Sequence, residues 1–182
     1  MSKLVRILLI LLGALLILGF IGLRFMKKQT KRHSPMEKVT LVHHDIELEV
    51  NYCRPFKKGR PIFGGLVPYD QVWRTGANEA TTFRTNADIQ FGDTPLKAGT
   101  YTLWTIPGPE QWKVILNGKR YAWGVKWGGE ASREPEHDVA KVTVPVEAQN
   151  PPLEQFTISL QDEPFALVLA WDRTRVTVPL DH

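Results

Sequence analysis

The chain is nearly without cysteine: Cys53 is its single thiol in 182 residues. No intrachain disulfide can form, so the fold rests on its apolar core, and about 145 residues suffice for one. A lone cysteine is most simply a small buried hydrophobe. Acidic side chains are missing from the first 36 positions, where Glu37 is the first. Sustained helical periodicity is missing from everything after that point, which excludes a helical bundle. There is no G-x-S-x-G, no phosphate loop and no dinucleotide glycine fingerprint. No histidine, cysteine or acidic spacing matches a zinc or calcium pattern. Internal repeats and low-complexity tracts are also lacking.

The missing acids explain a misleading charge. The net charge is +4, but seven of the 23 Lys and Arg residues precede Glu37. The rest of the chain carries 16 basic against 19 acidic side chains, a balance of −3. That removes the main electrostatic support for a nucleic-acid partner. The basic cluster over 24–32 instead suits anionic lipid head groups beside a membrane.

What is present at the start is a long apolar run, LVRILLILLGALLILGFIGL over 4–23. It is uncharged from Ile7 to Leu23, which as a helix rises about 26 Å, close to a bilayer core. It is apolar on every face, unlike a buried amphipathic helix. The run ends GFIGLRFMKK, with no A-x-A pattern for signal cleavage and no cysteine for lipid attachment. It reads as an uncleaved signal anchor, with the lipid bilayer as partner of residues 4–23. More basic residues follow the run than precede it, which alone would leave the C-terminal part in the cytoplasm. The short N-terminal region, by contrast, has the form of an export signal. The organisation expected is an anchor over 1–25, a basic linker over 26–37 and one domain over 38–182.

That domain reads as all-β. Ile46, Leu48, Val50 and Tyr52 alternate with polar residues, the period of a strand with one face in the core. Thr100–Ile106 and Trp112–Asn117 flank a Pro-Gly-Pro turn and read as a hairpin. Val142–Val146 and Phe156–Leu160 alternate, and Asn150-Pro151-Pro152 between them is expected to break the chain. Ala166–Trp171 is almost wholly apolar and should be covered on both faces. Eight to ten such strands imply an antiparallel β-sandwich or jelly roll.

Two irregular stretches, 54–80 and 118–137, exceed the usual two to six residues of a connection. They are too aromatic for disorder. The first contains Trp73, Arg74, Asn78 and Glu79, and the second Tyr121, Trp123 and Trp127. Aromatic faces beside amide and charged groups suit a polar ring such as a sugar. These seven residues are the candidate ligand site. The competing reading makes the first stretch a packed corner, with Trp73 plugging the sandwich, Arg74 and Glu79 paired, and Asn78 in a left-handed turn. A third reading, a hydrolase, would need carboxylates such as Glu79 and Glu130 about 5–9.5 Å apart. No catalytic residue, cofactor or metal is assigned. His43 and His44 are adjacent, and adjacent side chains on a strand diverge. They are expected in an exposed turn.

The stretch YCRPFKKGRPIFGGLVPYDQVWRTGANEATTF, then LKAGTYTLWTIPG and QWKVILN, resembles the domain-of-unknown-function family numbered 2911, over roughly residues 38–180. The resemblance implies an exported bacterial all-β protein and supplies no activity. It favours a single-pass protein of the bacterial inner membrane with its domain in the periplasm.

Overall fold

The computed structural model describes residues 2–182. The side chains at 23 and 25–28 lie outside the described residues, and with them Leu23 of the apolar run and the basic Lys27 and Lys28. The chain divides into two units, Met1–His33 and Ser34–His182.

The first unit is one helix, α1 (Lys3–His33). Its stretch Lys3–Gly22 is apolar and long enough to cross a membrane or to serve as a signal sequence. The helix continues past residue 25 through the basic segment. Its last turn carries Lys31, Arg32 and His33, the charge sign that suits a helix C-terminus.

The second unit holds ten strands, all paired antiparallel: β1 (Met36–His43), β2 (Ile46–Cys53), β3 (Thr82–Thr85), β4 (Ile89–Phe91), β5 (Thr94–Leu96), β6 (Gly99–Pro107), β7 (Gln111–Asn117), β8 (Asp138–Pro145), β9 (Glu147–Gln161) and β10 (Ala166–Asp181). They form a six-stranded sheet, β1-β2-β3-β6-β7-β8, and a four-stranded sheet, β5-β4-β10-β9. The alternating positions of β2 point inward as their period requires, with Ile46, Leu48, Val50 and Tyr52 all buried. They meet Phe156, Ile158, Leu167, Leu169 and Trp171 of the smaller sheet. The result is the expected sandwich.

Two strands are longer than the sequence suggests. β9 spans Pro151 and Pro152, which were expected to break it, but its pairing with β10 is interrupted over 149–152, where the register shifts. Proline cannot donate to a ladder, but β9 is an edge strand of its sheet, where that loss is tolerated. β10 absorbs the anticipated turn at Asp172. Its pairing with β9 slips register between Ala170 and Thr174, and Asp172 takes a φ of 53°. The strand bends there, and Leu180 N–H returns to donate to Phe165 O at 2.9 Å. Ala166–Trp171 is buried at every position, as its unbroken apolar run requires.

β6 and β7 are the covered centre of the larger sheet. Leu103, Trp112, Val114 and Leu116 enter the inter-sheet core. Trp104 and Ile115 belong to a second apolar cluster with Ala80, flanked by Val72, Tyr121 and Ala131. These partners come from the two long loops, which therefore lie across the outer face of the sheet.

Candidate functional site

The first loop joins the sheet beyond the end of β3. Trp73 and Thr105 exchange backbone hydrogen bonds of 2.7 and 3.0 Å. Neighbouring side chains on such a bridge point opposite ways. Trp73 turns inward and packs against the inter-sheet core. Its ring lies 4.9 Å from Phe156, edge-on, and 6.1 Å from Trp171, stacked. This is the plug of the packed-corner reading. Arg74 turns the other way, towards the second loop. A Cβ added at Gly124 would stand 2.5 Å from Arg74 Cδ, so only glycine admits the arginine stem there. The two loops are also hydrogen-bonded: Gly124 N–H donates to Asn78 O at 3.0 Å.

Beneath this seam lies the end of β2. Cys53 is fully buried, and its thiol donates to Glu79 Oε2 at 3.3 Å. Burial, and then the bond to Glu79 and its charge, push the thiol up to about 11. The corner is held by further polar contacts. Ala77 N–H donates to Cys53 O, and Thr81 Oγ1 donates to Thr75 O at 2.7 Å. Thr75, Gly76 and Asn78 all have positive φ, with Asn78 at 59°, the left-handed turn position expected of it.

Two donors in this corner are buried without an acceptor among the described residues. They are Arg74 Nε and Asn78 Nδ2. Among the described residues no salt bridge involves the arginine. Burial lowers its affinity for the proton. Buried donors ordinarily find partners; the indole N–H groups of Trp104 and Trp112 are buried without one as well, while the Asn78 side chain stands beside the Cys53 thiol and favours its ionised form, which leaves Arg74 Nε as the one charged donor of this set.

The second loop begins with Tyr121, which is a structural residue. Its ring stands edge-on to Trp104 at 5.5 Å, and its hydroxyl accepts Glu134 N–H while donating to Asn117 Oδ1. Asn117 in turn donates to Glu134 O and Asp138 Oδ1. Trp123 is half-buried. From Gly124 the chain forms a short two-armed finger. Val125 bridges Ala131, Ser132 N–H donates to Gly124 O, and Lys126 exchanges bonds with Glu130 and Gly129. Trp127 sits at its tip with its side chain wholly in solvent.

The structure thus brings Arg74, Asn78 and Glu79 together with the base of the finger that carries Trp123 and Trp127. Trp73 packs against the inter-sheet core and Tyr121 against Trp104. Cys53 is buried, the commoner of the two outcomes for a lone cysteine, the other being a nucleophile, and its place beneath Glu79 is not legible in the sequence. Its position at a strand end beside the first loop was the one available signal.

Residues 34–180 match a family model described as a protein of unknown function, DUF2911. No curated protein and no solved structure matches the chain.

Proposed function

The chain belongs to the DUF2911 family, proteins of unknown function, and for it we propose a membrane-anchored, extracytoplasmic binding protein. The apolar stretch of α1 is the anchor in a bacterial inner membrane, and the sandwich faces the periplasm. At the seam of the two loops the sandwich holds a small polar ligand rich in acceptor oxygens, such as a glycan. The observation that carries this reading is the pair of buried donors, Arg74 Nε and Asn78 Nδ2, without acceptors among the described residues. An oxygen placed there would satisfy both and offset the desolvation of the guanidinium. The exposed indole of Trp127 supplies a flat apolar face for a ring.

The packed-corner reading, a structural or protein-interaction domain without a small-molecule site, draws support from Trp73, which belongs to the core. Arg74→Met and Asn78→Asp separate the two, since each changes the donor set while keeping side-chain bulk. The full chain in detergent micelles is titrated with cell-wall glycan fragments and simple sugars. On the binding reading both variants weaken binding at least tenfold, and their melting temperatures stay within a few degrees of the parent. On the corner reading no sugar binds the parent, and Arg74→Met, which removes a buried donor without an acceptor among the described residues, leaves stability equal or higher.

A further inference from the structure

The histidines set aside in the sequence acquire a third partner in the fold. His43 ends β1 and His44 follows in the turn with a φ of 53°. The left-handed turn breaks the alternation that would send the two rings to opposite faces. Their centroids are 4.5 Å apart. The bend in β10 brings the end of that strand to the same place, and the His182 ring stands 5.3 Å from each of the other two. One nitrogen from each of the three imidazoles lies within 4.8 Å of the others.

We propose that His43, His44 and His182 form a three-imidazole site for a divalent transition-metal ion, Zn²⁺ in the first instance. A tetrahedral zinc with bonds of about 2.0–2.1 Å holds its nitrogens about 3.4 Å apart. The three must therefore close by little more than an ångström. His44 and His182 are exposed and free to rotate by that amount. His43 is the fixed ligand. Its ring stacks on Phe165 at 4.1 Å, nearly parallel, and its Nδ1 is 2.5 Å from Asp162 Oδ1. A carboxylate on Nδ1 holds the proton there and leaves Nε2 as the lone-pair donor. This is the arrangement that commonly supports a metal-bound histidine. Asp162 and Phe165 both lie in the β9–β10 turn, so three chain segments converge on the site. Three nitrogen ligands leave a fourth position open to water or an exogenous group.

The site is remote in kind from the second cluster of the same residue types, Glu134, Glu136 and His137. There both Glu134 oxygens already engage the Lys119 ammonium.

The test uses the full chain in detergent micelles, titrated with Zn²⁺ alone against a chromophoric chelator. One equivalent is expected to bind. Cobalt(II) substitution is expected to give the visible absorption of a low-coordinate nitrogen site. His44→Ala and His182→Ala, both at exposed positions, each weaken binding by about 100-fold, and Asp162→Asn by about 10–100-fold, as loss of a carboxylate behind a histidine ligand does. His137→Ala leaves it unchanged. The proposal is overturned if the parent binds no zinc, or if the His44→Ala, His182→Ala double variant binds it as tightly as the parent while its circular dichroism is native.

Discussion

Cys53 shows how one residue type can be read correctly and still hide its consequences. Its burial was expected of a lone cysteine, and the strand places it beneath a carboxylate. A thiol raised from its ordinary value near 9 to about 11 stays protonated in the folded chain while the unfolded chain ionises. The folded state then binds more protons than the unfolded one across that interval, so stability declines as pH rises through it. Below pH 9 the contribution is complete. Chemical denaturation between pH 8 and 11 should therefore show falling stability, and Cys53→Ala should flatten that part of the profile. The native thiol should also resist alkylating reagents at pH 8 and react once the chain is unfolded. Arg74 and Trp73 teach a related lesson. Adjacent in sequence, both belong to the candidate ligand site. The bridge to Thr105 sends one into the core and the other to the outer face, and only backbone pairing decides such a split.

At the scale of elements, the two long loops behave as one structure. Their aromatic content excluded disorder. Which glycine meets which side chain depends on how the loops cross. Gly124 is the point of contact, because a methyl group there would stand 2.7 Å from Arg74 Cβ, an atom tied to its backbone. Gly124→Ala should cost about 1–3 kcal/mol, the usual range for overpacking, with the loss read from urea denaturation. The finger over 124–132 should become the first site cut in limited proteolysis, since the seam that braces it would open. The strands were more readable than the loops. β2 follows its alternation, and β6 and β7 form the expected hairpin. β9 departed because the rule against proline in a strand applies to the ladder's donors, and its edge position leaves one side of its backbone without a partner strand.

The whole molecule consists of a helix unit and a sandwich unit. The sandwich has its own core and no covalent crosslink, so it should fold without the helix. The fragment Ser34–His182 is expected to be soluble and to unfold in one cooperative transition. Its melting temperature should lie within a few degrees of the full chain's in micelles, by differential scanning calorimetry. Carbonate-washed membranes should retain the full chain and release the fragment. The intact mass of the membrane-bound protein tells an uncleaved anchor from a processed signal. The charge distribution belongs to this scale too: the basic excess lies wholly in α1, and the sandwich itself is mildly acidic.

By itself the sequence determined the apolar N-terminal helix, the all-β class, most strand centres, the aromatic order of the long loops and membership of the family. These follow from local periods and composition, which act over a few residues and need no knowledge of the rest of the chain. Tertiary structure alone decided that the loops meet at Asn78 and Gly124, that Trp73 and Arg74 part to opposite faces of the sheet, and that His182 arrives next to His43 and His44. Each of these depends on where distant segments cross, and crossings arise from the packing of two sheets and the bend of β10. No local pattern of side chains encodes a distance across 138 residues.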